Sequence, residues 1–200
     1  MTITVIILIS FFVGSIPTGI LVGRYYGIDP REFGSKNIGA TNLNRVLGKK
    51  AGLLTLLGDF LKGIVAVQIP LIIGLENPEL IMPVTGLFAI FGHCFSPFLK
   101  FRGGKGVATS FGVLVILALI PSVLGFVSFI GIVFLSGYVS IASIVAATVV
   151  PALIFVNYPQ NYNYQTLVVS MICAVLITFR HKENIKRLVS GTETKFNLRK

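Results

Sequence analysis

The sequence predicts an all-α polytopic integral membrane protein with seven transmembrane helices, its N-terminus outside and its C-terminus cytoplasmic. Three observations lead there. Of 200 residues, 54% are hydrophobic and only 12% charged, against about one quarter charged in globular proteins. The apolar residues fall in long runs, which leave no room for a soluble domain and make 1–200 a single membrane-embedded domain. The 17 Lys and Arg residues, finally, are confined almost entirely to alternate connections between those runs.

The first run, Ile3 to Val22, has no charged residue within or before it, and Arg24 follows at once. Without a positive n-region or a small-residue cleavage site it reads as a first span, 3–23, rather than a secretion signal. Further spans are expected over 52–75, 81–99, 137–156 and 164–179. The run 106–136 is harder, because 31 helical residues extend about 46 Å at 1.5 Å each, against a hydrocarbon core of about 30 Å. Pro121 stands at its midpoint, where it would break a helix.

Charge decides between one span and two. Divided near Ile120-Pro121 into 106–120 and 122–136, the run makes seven spans. One side of the membrane then receives six Lys/Arg from 24–50, three from 100–105 and seven from 180–200, with Lys62 inside the second span. The other side receives none. This asymmetry orients the chain with its C-terminus inside. An undivided run would leave six spans and place the basic tail outside. The net charge of +10 is therefore a topology signal and an attraction for anionic headgroups. A nucleic-acid partner is not expected, since Trp is absent and Phe lies mostly in the spans. Cys94 and Cys173 lie far apart in apolar runs and read as buried hydrophobes.

The segments on the basic side carry more than charge. "FGSKNIGATNLNRVLGKK", Phe33–Lys50, offers Asn37, Asn42, Ser35, Thr41 and Arg45 among glycines that let backbone approach a ligand. In "GHCFSPFLKFRGGKGVATSFG", Gly92–Gly112, the glycines Gly103, Gly104 and Gly106 flank Lys105 just before a helix. Backbone amides in such a turn, with a helix N-terminus, form an anion cradle. Gly106 stands where a nucleotide-binding P-loop needs Ser or Thr, so that reading fails. In "RHKENIKRLVSGTET", Arg180–Thr194, His181 and Asn184 share a helical face, within an amphipathic interfacial helix expected over 180–190. Asp59 and Lys62 are spaced to pair inside the second span. Ser140 and Ser143 begin the sixth, placed to cap it, pack it or reach the anion site.

Four of these stretches together resemble the bacterial acyl-phosphate-dependent glycerol-3-phosphate acyltransferases: GSKNIGATNLNR at 34–45, DFLKG at 59–63, GHCFSPFLKFRGGKGVAT at 92–109 and RHKENIKRL at 180–188. Lys36 departs from the pattern, since many members have Gly there. The resemblance implies a seven-helix enzyme of the bacterial inner membrane, with its site at the cytoplasmic face. It would act as a monomer with membrane lipid around it and no cofactor. It would transfer a fatty acyl group from acyl phosphate to the sn-1 hydroxyl of glycerol 3-phosphate, giving lysophosphatidic acid and inorganic phosphate.

The resemblance also implies roles. Ser35, Arg45, Lys105, His181 and Asn184 would be catalytic. Asn37, Thr41, Asn42, Gly103, Gly104, Gly106 and Ser143 would hold substrate and phosphate, and Asp59, Lys62, His93 and Glu193 would be structural. The H-x4-D pair of soluble-donor acyltransferases is absent, since Phe98 and Lys186 stand five residues after the two histidines. That leaves His181 or the acyl phosphate's own oxygen as the base. No metal site is expected from two His and two Cys without ligand spacing. A transporter or flippase for an anionic solute or lipid is the alternative from another class.

Overall fold

The structure, a computed structural model, describes residues 2–196, and every regular element among them is helical. The chain falls into two compact units, one running to Ile116 and the other from Leu117.

In the first unit, α1 (Ile3–Ser15) and α2 (Thr18–Tyr25) are one apolar run interrupted at Ile16 and Pro17. Pro17 has no N–H and its ring excludes a continuing turn, so the helix stops and restarts. The interruption strands carbonyls in an apolar segment, where unsatisfied backbone is costly. Side chains from elsewhere in the unit meet them: Lys62 Nζ donates to the Ile16 carbonyl at 2.8 Å, and Ser96 Oγ to the Ser15 carbonyl at 2.8 Å.

A short helix, α3 (Ala40–Leu47), interrupts the first polar segment. Gly48, at φ +87°, turns the chain directly from it into α4 (Lys49–Ile72). α5 (Pro78–Cys94) follows, then a 3-10 turn at Pro97–Leu99 and α6 (Val107–Leu117). α4 lies against α1, α2, α3 and α5, and α1 also against α5. Small residues set the closest approaches, as is usual where lipid supplies no hydrophobic drive. A methyl group on Gly63 would strike the Thr109 carbonyl of α6, and one on Gly112 the Phe60 carbonyl of α4.

The break expected at Ile120-Pro121 falls earlier. α6 ends at Leu117, Ala118 leaves the helical region (φ −152°, ψ 75°), and α7 (Leu119–Ser136) begins at once. Pro121 thus sits in the first turn of α7, where its missing N–H would have had no helical partner anyway. The displaced break leaves α6 only 11 residues, about 16 Å at 1.5 Å each.

Among the described residues, five segments are long and apolar enough to cross a bilayer: Ile3–Tyr25, Lys49–Ile72, Pro78–Leu99, Leu119–Ser136 and Val139–Val156. A sixth is added if the helices Tyr164–Arg180 and Lys182–Val189, bent by 54° where they meet, count together. The expectation of an all-α chain with several membrane-crossing helices therefore holds.

The second unit contains α7, α8 (Val139–Val156), α9 (Tyr164–Arg180) and α10 (Lys182–Val189). Gly137, at φ +77°, makes the α7–α8 turn, and α8 packs on both α7 and α9. The segment after α10 is tied back to that turn: the Phe196 amide donates to the Gly137 carbonyl at 2.7 Å, and Lys195 Nζ lies 5.5 Å from the centre of the Tyr138 ring.

Glu193 is the centre of this attachment. Its carboxylate accepts from Asn184 Nδ2 (2.6 Å), Arg187 Nε (2.7 Å) and Ser140 Oγ (3.0 Å), joining α10 to the start of α8. Burial pushes the Glu193 carboxyl up, but these three hydrogen bonds outweigh it and hold the group below the usual carboxylate range. A lowered folded value means the contribution to stability is complete above the unfolded glutamate value and fades as pH falls through the folded one. Glu193→Gln is expected to lower the melting temperature of detergent-purified protein near neutral pH, with a loss of about 2 kcal/mol. The gap to the unsubstituted protein should narrow as the buffer is taken below the glutamate range. A gap constant down to strongly acid pH would refute the assignment.

Candidate active site

The first unit supplies two polar segments that meet. Gly34, at φ +59°, turns the chain into Ser35, whose amide donates to Asn42 Oδ1 at 2.8 Å. The Asn42 amide nitrogen donates in turn to the carbonyls of Pro30 (3.0 Å), Phe33 (3.1 Å) and Asn37 (2.8 Å). Asn42 is 2% exposed. Expected to bind substrate, it instead braces the loop, with its amide enclosed by backbone partners. The loop's exposed residues are then free to vary in role: Ser35 and Arg45 are exposed, and Thr41 is half-buried. Thr41 and Arg45 lie four apart on α3 and so share a face. Asn37 Oδ1 accepts from the Gly39 amide at 2.8 Å, just ahead of α3.

The glycine-lysine turn also departs from expectation. The amides of Gly103 and Gly104 donate to the Cys94 and His93 carbonyls, each at 3.1 Å, closing the C-terminal end of α5. They are committed to the fold, so the two glycines do not present a phosphate cradle with those N–H groups. They serve close approach instead: a methyl group on Gly104 would strike the His93 ring, and one on Gly103 the His93 carbonyl. Gly106, at φ +86°, completes the turn and delivers the half-buried Lys105 next to the start of α6.

Beneath the turn lies a buried ionic cluster. Lys62 Nζ sits 2.7 Å from Asp59 Oδ1, and His93 Nδ1 is 3.5 Å from the same oxygen, with all three side chains about 95% buried. The spacing read from sequence does produce an ion pair. His93 joins it because α5 crosses α4 at this level, which local spacing could not reveal.

The two loops share a cavity of about 580 Å³, lined by Arg31, Lys36, Asn37, Ile38, Leu99, Lys100, Arg102 and Gly103. Ile38 and Leu99 form its apolar floor with Ile20 beneath them. Arg31 is bound to Asp29 (2.6 Å), and the hydrogen bond from Arg31 holds the Asp29 carboxyl below its ordinary range.

The second unit contains the remaining candidates. His181 is not inside α10 but closes α9, and its Nδ1 lies 2.8 Å from the Ile177 carbonyl. A carbonyl can only accept, so that nitrogen carries the proton and the lone pair of the neutral ring falls on Nε2. An orienting carboxylate, missing from the sequence, is thus replaced by a backbone carbonyl one turn back. Asn184 follows on α10, its amide turned by Glu193. Ser143 Oγ donates to the Val139 carbonyl at 2.8 Å on α8, one turn beyond Ser140.

The sequence model described as glycerol-3-phosphate acyltransferase matches residues 4–191. A glycerol-3-phosphate acyltransferase of Trichlorobacter lovleyi is 45% identical over 187 residues, covering 94% of each chain. One of Fusobacterium nucleatum is 43% identical over 191 residues, covering 95% of this chain and 96% of its own. The crystal structure of PlsY (YgiH), an integral membrane glycerol 3-phosphate acyltransferase in its glycerol 3-phosphate form, superposes with TM-score 0.88 at 36% identity, covering 98% of this chain and 96% of its own. Its lysophosphatidic acid form gives 0.86 at 35% identity, covering 98% and 95% respectively. On sequence and fold together, the chain belongs to the glycerol-3-phosphate acyltransferase family.

Proposed function

We propose that the chain transfers a fatty acyl group from acyl phosphate to the sn-1 hydroxyl of glycerol 3-phosphate, releasing lysophosphatidic acid and inorganic phosphate. The observation that carries this is the meeting of the Arg31–Ile38 and Leu99–Gly103 segments around one cationic cavity, beside Ser35 and Lys105. A relative crystallised in glycerol 3-phosphate and lysophosphatidic acid forms supports substrate and product. Acyl phosphate as donor suits the chemistry of the residues. Acyl phosphate is already activated, and its leaving group departs as phosphate without acid help. The protein then has only to position two anions and neutralise charge.

In this reading Lys105, with the turn at Gly106 and the N-terminus of α6, holds one phosphate. Ser35, Thr41 and the planar fork of Arg45 hold the other. His181 Nε2 accepts the hydroxyl proton as the alcohol oxygen attacks the acyl carbonyl. The new ester C–O bond forms, the C–O bond to phosphate breaks, and the proton passes to the departing phosphate. In the second unit, Asn184, oriented by Glu193, joins His181 and Ser143 as a candidate for contact with substrate. Asp59, Lys62 and His93 serve as supports. The site faces the cytoplasm of a bacterial inner membrane, with seven spans counting α6 and the N-terminus outside, as the distribution of Lys and Arg supports.

Purified protein given palmitoyl phosphate and glycerol 3-phosphate should release lysophosphatidic acid and phosphate in equal amounts. Palmitoyl-coenzyme A should not replace the donor. Lys105→Ala should reduce kcat/KM by about a hundredfold or more; turnover within a fewfold of normal would remove Lys105 from the site. For His181→Ala, a kcat loss of about a hundredfold should come with disappearance of the acid limb of the rate–pH profile. A modest loss with the profile unchanged would return the proton to the substrate's own phosphate. Orientation is tested by cysteine accessibility, since Cys94 and Cys173 are buried. Gln160→Cys should react with an impermeant maleimide in intact cells and Lys49→Cys only after lysis, and the reverse pattern would invert the topology.

A further inference from the structure

The 580 Å³ cavity of the first unit is lined by four cationic side chains that the proposed chemistry does not use: Arg31, Lys36, Lys100 and Arg102. All four are exposed. Arg31 is neutralised by Asp29, whereas Lys36, Lys100 and Arg102 have no ion-pair partner among the described residues. Two of the three are held by unusual backbone: Lys36 and Lys100 have φ +56° and +51°, a region that side chains other than Asn, Asp and Gly rarely adopt. The Asn42 brace fixes the first loop, and hydrogen bonds from the Gly103 and Gly104 amides fix the second. Both sets of charge are thus presented by rigid backbone around one concavity, although mutual repulsion would favour spreading them.

The chemistry that suits such a concavity is a phosphate monoester dianion. The cavity volume lies within the range of small-molecule sites, about 300–1,000 Å³. Three uncompensated cations exceed the charge of one such dianion. Asn37 and Gly103 in the wall lie two residues along the chain from Ser35 on one loop and Lys105 on the other. Low walls of one sign concentrate a counter-charged ligand ahead of its site. Resting on the function proposed above, we infer that Lys36, Lys100 and Arg102 form a separate phosphomonoester-binding vestibule, through which that group reaches or leaves the site. The group has two sources in this reaction. Glycerol 3-phosphate brings it from water, and lysophosphatidic acid carries it as a lipid headgroup.

The test is the triple variant Lys36→Gln, Lys100→Gln, Arg102→Gln in nanodiscs of zwitterionic lipid. Its control, Lys49→Gln with Lys50→Gln, removes charge from exposed positions outside the cavity. If the vestibule takes the soluble ester, KM for glycerol 3-phosphate rises about tenfold with kcat within twofold. The steep fall of kcat/KM with salt expected of the unsubstituted enzyme then flattens. If it takes the headgroup, KM is unchanged but inhibition by added lysophosphatidic acid weakens about tenfold instead. Either result supports the vestibule and identifies the source; no change in either, or the same change in the control, overturns it. Should the triple variant fold poorly, Lys36→Gln and Lys100→Gln singly should each give about a threefold effect. Lys36→Arg should restore it. Calorimetric titration with glycerol 3-phosphate reads the vestibule without turnover, so an inactive unsubstituted protein would refute the function proposed above and leave this test standing.

Discussion

Pro17 takes one N–H out of the first helix, and the carbonyls stranded by the resulting break must find partners within the protein, because lipid offers none. Lys62 answers for Ile16 and Ser96 for Ser15. Each answer has consequences further out. A lysine in an apolar helix needs a counter-charge, which Asp59 supplies at 2.7 Å, and the same carboxylate oxygen faces His93. The His93 ring lies under Gly104, in the turn that carries Lys105. Ser96 begins the 3-10 turn leading into that segment. A defect in one helix and the placing of a candidate catalytic lysine are thereby linked through four residues of the same unit.

That linkage separates what could be read from the sequence and what could not. The Asp59–Lys62 pair is a matter of helical spacing and was legible. Spans were legible from hydropathy, because the bilayer imposes a length on them. The position of the fourth break was not. Proline signals a disturbance near itself, yet it is tolerated in the first turn of a helix, so the disturbance at Ala118 precedes Pro121 rather than surrounding it. α3 was hidden because Gly, Asn and Thr in Phe33–Lys50 read as turn formers. Tertiary packing of Leu43 and Asn42 overrides those preferences.

The candidate site shows the same division. Residue types that bind phosphate are also those that satisfy backbone, and composition alone cannot apportion them. Asn42 and the amides of Gly103 and Gly104 went to the fold; Ser35, Thr41 and Arg45 remain for a ligand. The orientation of His181 depended on a carbonyl one turn earlier in α9, a partner every helical histidine has nearby and only some use. The residues around Glu193 in the sequence show no reason for the structural role that the resemblance implies. Three converging hydrogen bonds supply one, and they make Asn184 dependent on a segment beyond the last helix.

The arrangement of charge follows from two constraints acting on the same residues. Insertion requires Lys and Arg on one side of the membrane, but it does not say whether they should be neutralised there. Seven acidic side chains cannot compensate 17 basic ones. Three of those with carboxylate partners hold structure: Lys62 at the broken helix, Arg31 at the loop entrance, Arg187 at the tail. Lys36, Lys100 and Arg102 stand around a concave wall with no ion-pair partner among the described residues, where repulsion would disperse them unless the backbone held them. Two of them are held in left-handed conformations that cost free energy of their own. Topology explains why these residues are basic. It does not explain why they converge, and a ligand carrying the opposite charge does.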